Sequence, residues 1–324
     1  MAELDNRQAA HDGTRKAVVV AFIGNLIIAV AKFVGAFFSG SVALFAEGLH
    51  SVVDSFNQVF LYLGLHLQSR PASPTHPFGY GKERFFWSFI AAIFIFATGA
   101  VVAFHEGWAK WQHPEPLSDV RWALGVLAFA FVAEALSLRV SYVELARRAK
   151  EAGKNTLAFL VTTRDPTLAA VVVEESAALL GILVAATGVG LAWWTGDGRY
   201  DAAASICIGA LLTGLAFMLG GKSRSLLLGQ GALPEELALI EAIFEASPDV
   251  EKVIDCYTMQ LGPDELLLAA HLQIPRNLST QQIEDRLDAI EQDLARAVPA
   301  LKRIFLEAEN AEEVAKKIGE GQTF

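Results

Sequence analysis

Apolar runs long enough to cross a bilayer follow one another through the first two thirds of the chain and then stop. Six of them fall at about 17–38, 42–66, 85–109, 119–144, 166–192 and 201–221. Each approaches or exceeds the ~20 residues that a helix needs to cover ~30 Å of hydrocarbon. Beyond residue 231 the pattern changes to that of a small soluble module. Residues 234–247 carry the spacing of an amphipathic helix, and 250–260 and 266–274 read as strands on either side of the turn Gly262-Pro263-Asp264. Residues 279–298 read as a second helix, with Ser279 and Gln282 placed as a capping box, and 303–307 as a short last strand. The predicted fold is therefore a membrane α-helical protein: six transmembrane helices followed by a C-terminal α+β domain of ferredoxin-like type in αββαβ order. The boundaries read from the sequence are 1–16 for a polar N-terminal segment, 17–224 for the membrane domain, 225–309 for the soluble domain and 310–324 for a frayed tail.

Composition supports that division. The 324 residues are 53% hydrophobic with a mean hydropathy of +0.38, above what two ordinary soluble domains show. The net charge of -10 is concentrated after residue 231, where Asp and Glu far outnumber Lys and Arg, whereas the membrane part is nearly neutral. An acidic soluble module offers no basic surface for nucleic acid. Two cysteines, Cys207 in an apolar run and Cys256 in the soluble part, make neither a disulfide framework nor a thiolate metal site. Lys and Arg collect in the segments before the first span, between spans two and three, between four and five, and after six; Lys110, Arg121 and Arg199 stand at the opposite ends. By the positive-inside rule both termini face the cytoplasm. The polar, mixed-charge start reads as neither a secretory signal nor a transit peptide, which favours a bacterial plasma membrane as the host.

The candidate chemistry lies inside the spans. Glu47, His50 and Asp54 interrupt the second apolar run and Glu174 and Glu175 the fifth. A charged side chain at bilayer depth costs roughly 2.5 to 3.5 kcal/mol on insertion scales, so these groups are expected to face partners or a wet cavity. Spacings of three and four put Glu47, His50 and Asp54 on one helical stripe. At 1.5 Å per residue, His50 lies about 12 Å below the outer end of span two and Glu175 about 13 Å above the inner end of span five, so both sit near mid-membrane. Imidazole with carboxylates suits Zn2+ and is tolerated by Mn2+, Fe2+ or Co2+. A buried polar tie between helices and a proton relay use the same residue types.

The run Ser39-Gly40-Ser41-Val42-Ala43-Leu44-Phe45-Ala46-Glu47-Gly48-Leu49-His50-Ser51-Val52-Val53-Asp54 resembles the second-span signature of the cation diffusion facilitators, solute carrier family 30 in animals. His76-Pro77-Phe78-Gly79-Tyr80-Gly81-Lys82-Glu83 resembles the same family's cytoplasmic loop. The stretch from Arg164-Asp165-Pro166 to Glu174-Glu175-Ser176 is similar to the branch that includes the mitochondrial zinc transporter nine type. The resemblance implies a homodimer in the lipid bilayer that exports or compartmentalises a divalent metal, usually Zn2+, in exchange for protons as counter-ion. It also implies two metal ligands from span two and two from span five.

Span two supplies the implied pair, His50 and Asp54. Span five departs from the pattern: Glu175 matches the second ligand, but the first falls on Val171, which cannot bind metal. Glu174, Glu47 or water is left to complete the shell. Glu174 is about 100° round the helix from Glu175, so both reach one ion only if that helix is irregular or turns. Other metal positions of the family look eroded. Tyr80 and Ser73 flank His76 in the loop, which leaves His76 a loop-capping role. Ile254, Leu306 and Ala308 surround His271 in the soluble module, and Lys82 meets Gly229 or Gln230 where relatives have an acid. Asp165-Pro166 reads as a helix start. The expected function is divalent-metal efflux by proton antiport with alternating access and without enzymatic activity. The alternatives are export of Mn2+, Fe2+ or Co2+, and a metal sensor or scaffold that binds without net transport. An intramembrane metallohydrolase is disfavoured by the lack of an H-E-x-x-H helix.

Overall fold

The computed structural model describes residues 22–151, 153, 155–162, 166–275 and 277–309; the expected N-terminal segment, the Asp165 cap and the tail after 309 lie outside them. The chain divides into two compact units. One comprises residues up to Leu67 and Glu83–Arg224; the other comprises Gln68–Lys82 together with the chain from Ser225 onward.

In the membrane unit the helices are α1 (Phe22–Ser39), α2 (Val42–Gln68), α3 (Glu83–Phe94), α4 (Val101–Gln112), α5 (Val120–Glu151), a short α6 (Thr156–Thr162), α7 (Pro166–Thr195) and α8 (Arg199–Leu228). A π-helical turn, Ile95–Ala100, joins α3 and α4 into one 30-residue span. Neither α6 nor the π turn was expected from periodicity. Five of the spans are long and apolar enough to cross a membrane by composition alone. The sixth, α2, has the length at 27 residues but is diluted by its own polar stripe, which holds Glu47, His50 and Asp54.

Small side chains let these helices approach closely, the usual device where lipid supplies no hydrophobic drive. A Cβ on Gly48 of α2 would meet the Phe33 ring of α1 at 2.9 Å, and one on Gly107 of α4 would sit 2.9 Å from Ile206 of α8. Aromatic contacts fasten α2 to α3: Phe56 against Phe94 at 5.0 Å between centroids, and Phe60 stacked on Trp87 at 5.9 Å. The N-terminal end of α2 is capped twice. Ser41 Oγ accepts from Leu44 N, and the fully buried Asp201 of α8 accepts from Ser41 Oγ at 2.5 Å, Val42 N at 2.8 Å and Ala43 N at 3.3 Å. A carboxylate there also offsets the positive end of the helix dipole. Lys110 of α4 completes the junction with Asp201 at 2.9 Å and the Gly40 carbonyl.

The second unit holds α9 (Pro234–Ala246), β1 (Lys252–Gly262), β2 (Glu265–Gln273), α10 (Thr280–Ala297) and β3 (Leu301–Glu309). The αββαβ order and the ferredoxin-like fold expected from the sequence are observed. The sheet runs β1-β2-β3, with β1 and β2 antiparallel and β3 parallel to β2. Leu266, Leu268, Ala270 and Leu272 alternate on the face of β2 that packs on Ile240 and Phe244 of α9 and on Ile290 and Leu294 of α10. The capping box is present, with Ser279 Oγ accepting from Gln282 N and the Gln282 side chain accepting from Ser279 N.

Gln68–Lys82 joins this unit, and its glycines show why. Gly79 has φ +85°, and a Cβ on Gly81 would lie 2.5 Å from the Leu261 carbonyl oxygen and 2.9 Å from Gly262 Cα. His76 organises the loop as expected of a cap: it pairs with Ser73 through both backbone groups and stacks on Tyr80 at 4.4 Å. Lys82 donates to the Leu227 carbonyl at 3.4 Å and contacts Met259 sulfur at 3.6 Å.

Candidate metal centre

His50 is 2% exposed, and neither ring nitrogen has a hydrogen-bond partner. Its Nε2 stands 3.6 Å from Oδ2 of Asp54, one turn further along α2, which is too long for a hydrogen bond. Buried imidazole nitrogens normally find a donor or acceptor, so an orphaned ring beside a carboxylate marks a candidate ligand position.

Glu47, one turn earlier on α2, has another allegiance. Its Oε2 is 2.9 Å from Lys32 Nζ of α1, both side chains are fully buried, and Lys32 also donates to Ser51 Oγ at 2.9 Å. The other oxygen, Oε1, lacks a hydrogen-bond partner and presses on Gly181 of α7 so closely that no Cβ fits there.

The adjacent acids of α7 diverge, as a 100° step round a helix requires. Glu174 is buried and accepts from Asn57 Nδ2 of α2 at 2.7 Å. Glu175 turns to α5 instead, where Ser137 Oγ donates to its Oε1 at 2.6 Å and Glu134 meets its carboxyl group. Its Oε2 has no hydrogen-bond donor. The two sets are coupled through space, because Asp54 feels the charge of Glu134 and both Glu174 and Glu175 feel that of Asp54. Val171, one turn before Glu175, is half-buried and apolar.

The five predicted residues therefore fall into three groupings: His50 with Asp54, Glu47 with Lys32, and the acids of α7 with Asn57 and with Glu134 and Ser137. Among the described residues no three His, Cys, Asp or Glu side chains are drawn together at metal-binding distance. Sequence reasoning missed Glu134, Asn57 and Ser137 and left Lys32 without a role. Glu134 carried a usable signal, since a lone acid inside an apolar span is subject to the same cost that singled out the others.

In the soluble unit, His271 Nδ1 lies 2.9 Å from Asp255 of β1 and its Nε2 2.7 Å from Glu307 of β3, tying the three strands across the face away from the helices. Burial, reinforced by the charges of Glu241 and Asp255, pushes the Cys256 thiol up to about 11.

Helices long and apolar enough to cross a membrane, one of them bearing a buried imidazole without a hydrogen-bond partner, followed in the chain by a small α+β module, define a polytopic membrane protein. Residues 18–228 match the family described as cation efflux transmembrane domain and residues 232–311 that described as cation efflux protein, cytoplasmic domain. The chain belongs to the cation efflux family, the cation diffusion facilitators. It is 30% identical over 276 residues to the mitochondrial proton-coupled zinc antiporter SLC30A9 of Homo sapiens, covering 85% of this chain and 49% of that one. It is 23% identical over 304 residues to the manganese efflux system protein MneP of Bacillus subtilis, covering 90% of this chain and 95% of that one. The chain thus spans about half the length of the SLC30A9 relatives it matches.

Proposed function

We propose that the protein exports a divalent transition metal, Zn2+ first among the candidates, by exchanging it for protons across the membrane. The observation that carries this reading is His50: a nearly inaccessible imidazole with both nitrogens unpartnered, 3.6 Å from Asp54 and under the charge of Glu134 of α5. We assign the metal to His50, Asp54 and Glu175. Glu174 already accepts from Asn57, and Glu47 neutralises Lys32, so neither is the natural fourth donor in the described state.

Binding needs a neutral imidazole and ionised carboxylates, so protons and metal compete for the same atoms. An inward proton gradient then empties the site on one side and drives export. In this reading both termini lie on the side from which metal is loaded, and the cytoplasmic domain joins two copies of the chain. The zinc and manganese named for the relatives support a first-row divalent cargo, and an imidazole with carboxylates discriminates weakly among such ions.

The test is flux in proteoliposomes with an imposed pH gradient, read with Zn2+, Mn2+, Fe2+ and Co2+ in turn. Metal uptake should be accompanied by proton counterflow and be lost in His50→Ala, Asp54→Ala and Glu175→Ala. Binding without net uptake into sealed vesicles would reject transport in favour of a sensor, and uptake indifferent to the pH gradient would reject antiport.

A further inference from the structure

The family resemblance implies two ligands from span five, and this chain offers one there, because Val171 occupies the position one turn before Glu175. The helix that packs along α7 carries a replacement. Glu134 of α5 is 6% exposed, its carboxyl group meets that of Glu175, and Ser137, three residues on along the same face, holds Glu175 Oε1. The charge of Glu134 also acts on Asp54 and on His50. Glu134 and Glu175 thus form one acidic pair between α5 and α7, within electrostatic reach of Asp54, and Glu134 is also within reach of His50. His50 supplies the independent sign of a ligand, since it is buried with both nitrogens free of hydrogen bonds. Two carboxylates pressed together in a low-dielectric interior repel each other, and a divalent cation between them removes that repulsion.

We propose that Glu134 is the fourth protein ligand of the transported metal, so that this chain closes its site with α5 in place of the missing span-five donor. The proposal rests on His50, Asp54 and Glu175 holding the metal. The resulting set of one nitrogen and three carboxylates suits Zn2+, and its oxygen-rich character widens acceptance toward Mn2+ and Fe2+.

The experiment uses the full-length protein in detergent, titrated with Co2+ while its visible absorption is recorded, with Zn2+ as competitor. Glu134→Gln should weaken binding by at least about tenfold, the lower end of what even an indirect perturbation of a metal site costs. It should also alter the absorption of the metal-saturated protein. Glu134→His keeps a donor atom and should retain binding with a shifted spectrum, which reads coordination even if the Gln variant folds poorly. Adding Val171→Asp to Glu134→Gln should restore affinity by returning the second donor to α7. An unchanged spectrum in saturated Glu134→Gln or Glu134→His overturns the proposal, whether or not affinity falls, because a group that only positions Glu175 leaves the donor set intact. Asp54→Ala separates the two levels: if it binds Co2+ normally, the site assignment itself is wrong and this inference falls with it. If it abolishes binding while Glu134→Gln matches wild type in affinity and spectrum, only the inference falls.

Discussion

Replacing Lys32 by Met tests what the buried ion pair beside the site contributes. The Lys32–Glu47 distance is 2.9 Å with both side chains inaccessible. At an effective dielectric constant of about 20 this corresponds to roughly 6 kcal/mol of attraction. Desolvation costs several kcal/mol per ion, so the pair as a whole contributes little net stability, whereas losing one member strands the other at a cost of about 3–5 kcal/mol. Lys32→Met should therefore destabilise the protein by that amount. It leaves Glu47 with no cation, one oxygen already lacking a donor and Gly181 pressed against it. The double variant Lys32→Met/Glu47→Leu should return to within about 2 kcal/mol of wild type, since an apolar pair of similar volume needs no compensation. Stability would be measured by reversible unfolding in mixed detergent micelles, and metal uptake in proteoliposomes on the same preparations. A double variant as unstable as either single one would refute the pairing argument. A Glu47→Gln variant that keeps its stability but loses metal binding would return Glu47 to the ligand set.

At the junction of α2, α4 and α8, Asp201→Ala should cost about 3–5 kcal/mol, measured by the same unfolding assay, because it removes the cap of α2 and strands the largely buried Lys110. Gly81→Ala should destabilise by about 1–3 kcal/mol, seen as a lowered melting temperature, since the backbone of Leu261 and Gly262 leaves no room for a methyl group. In a Cys207→Ser background, Cys256 should alkylate with iodoacetamide at pH 8 about a hundredfold more slowly than a thiol of pKa 9, with a rate that climbs until pH approaches about 11. Because its folded pKa is raised, the stability linked to this thiol is complete below the unfolded value and is lost as pH rises through about 11.

Element type was legible wherever one physical pattern dominated. The five apolar spans and the αββαβ module follow from hydropathy and periodicity, and the Ser279 cap from side-chain chemistry. The π turn at Ile95–Ala100 has no hydropathy signal, because it changes hydrogen-bond register without changing composition. In the site, the His50 and Asp54 stripe was readable from spacing. The divergence of Glu174 and Glu175 was also readable, as an angle, but not the identity of their neighbours, which depends on which helices pack on α7. Lys32 could be seen as a buried cation yet not matched to Glu47, since nothing local links residues on two different helices. The pairing of Lys82 with the end of α8 was equally out of reach, because a backbone carbonyl has no signature in sequence.

Two neighbouring acids that look in different directions make α7 a two-position dial. Rolling it about its own axis by the arc of a single residue, about 100°, would carry Glu174 to the bearing Glu175 held, at a height only about 1.5 Å different along the axis. Swapping Asn57 for a coordinated ion, and Ser137 for lipid or water, would then need neither sliding nor unwinding of the helix. Under the proposed export function, the two carboxylates would exchange places at nearly constant depth.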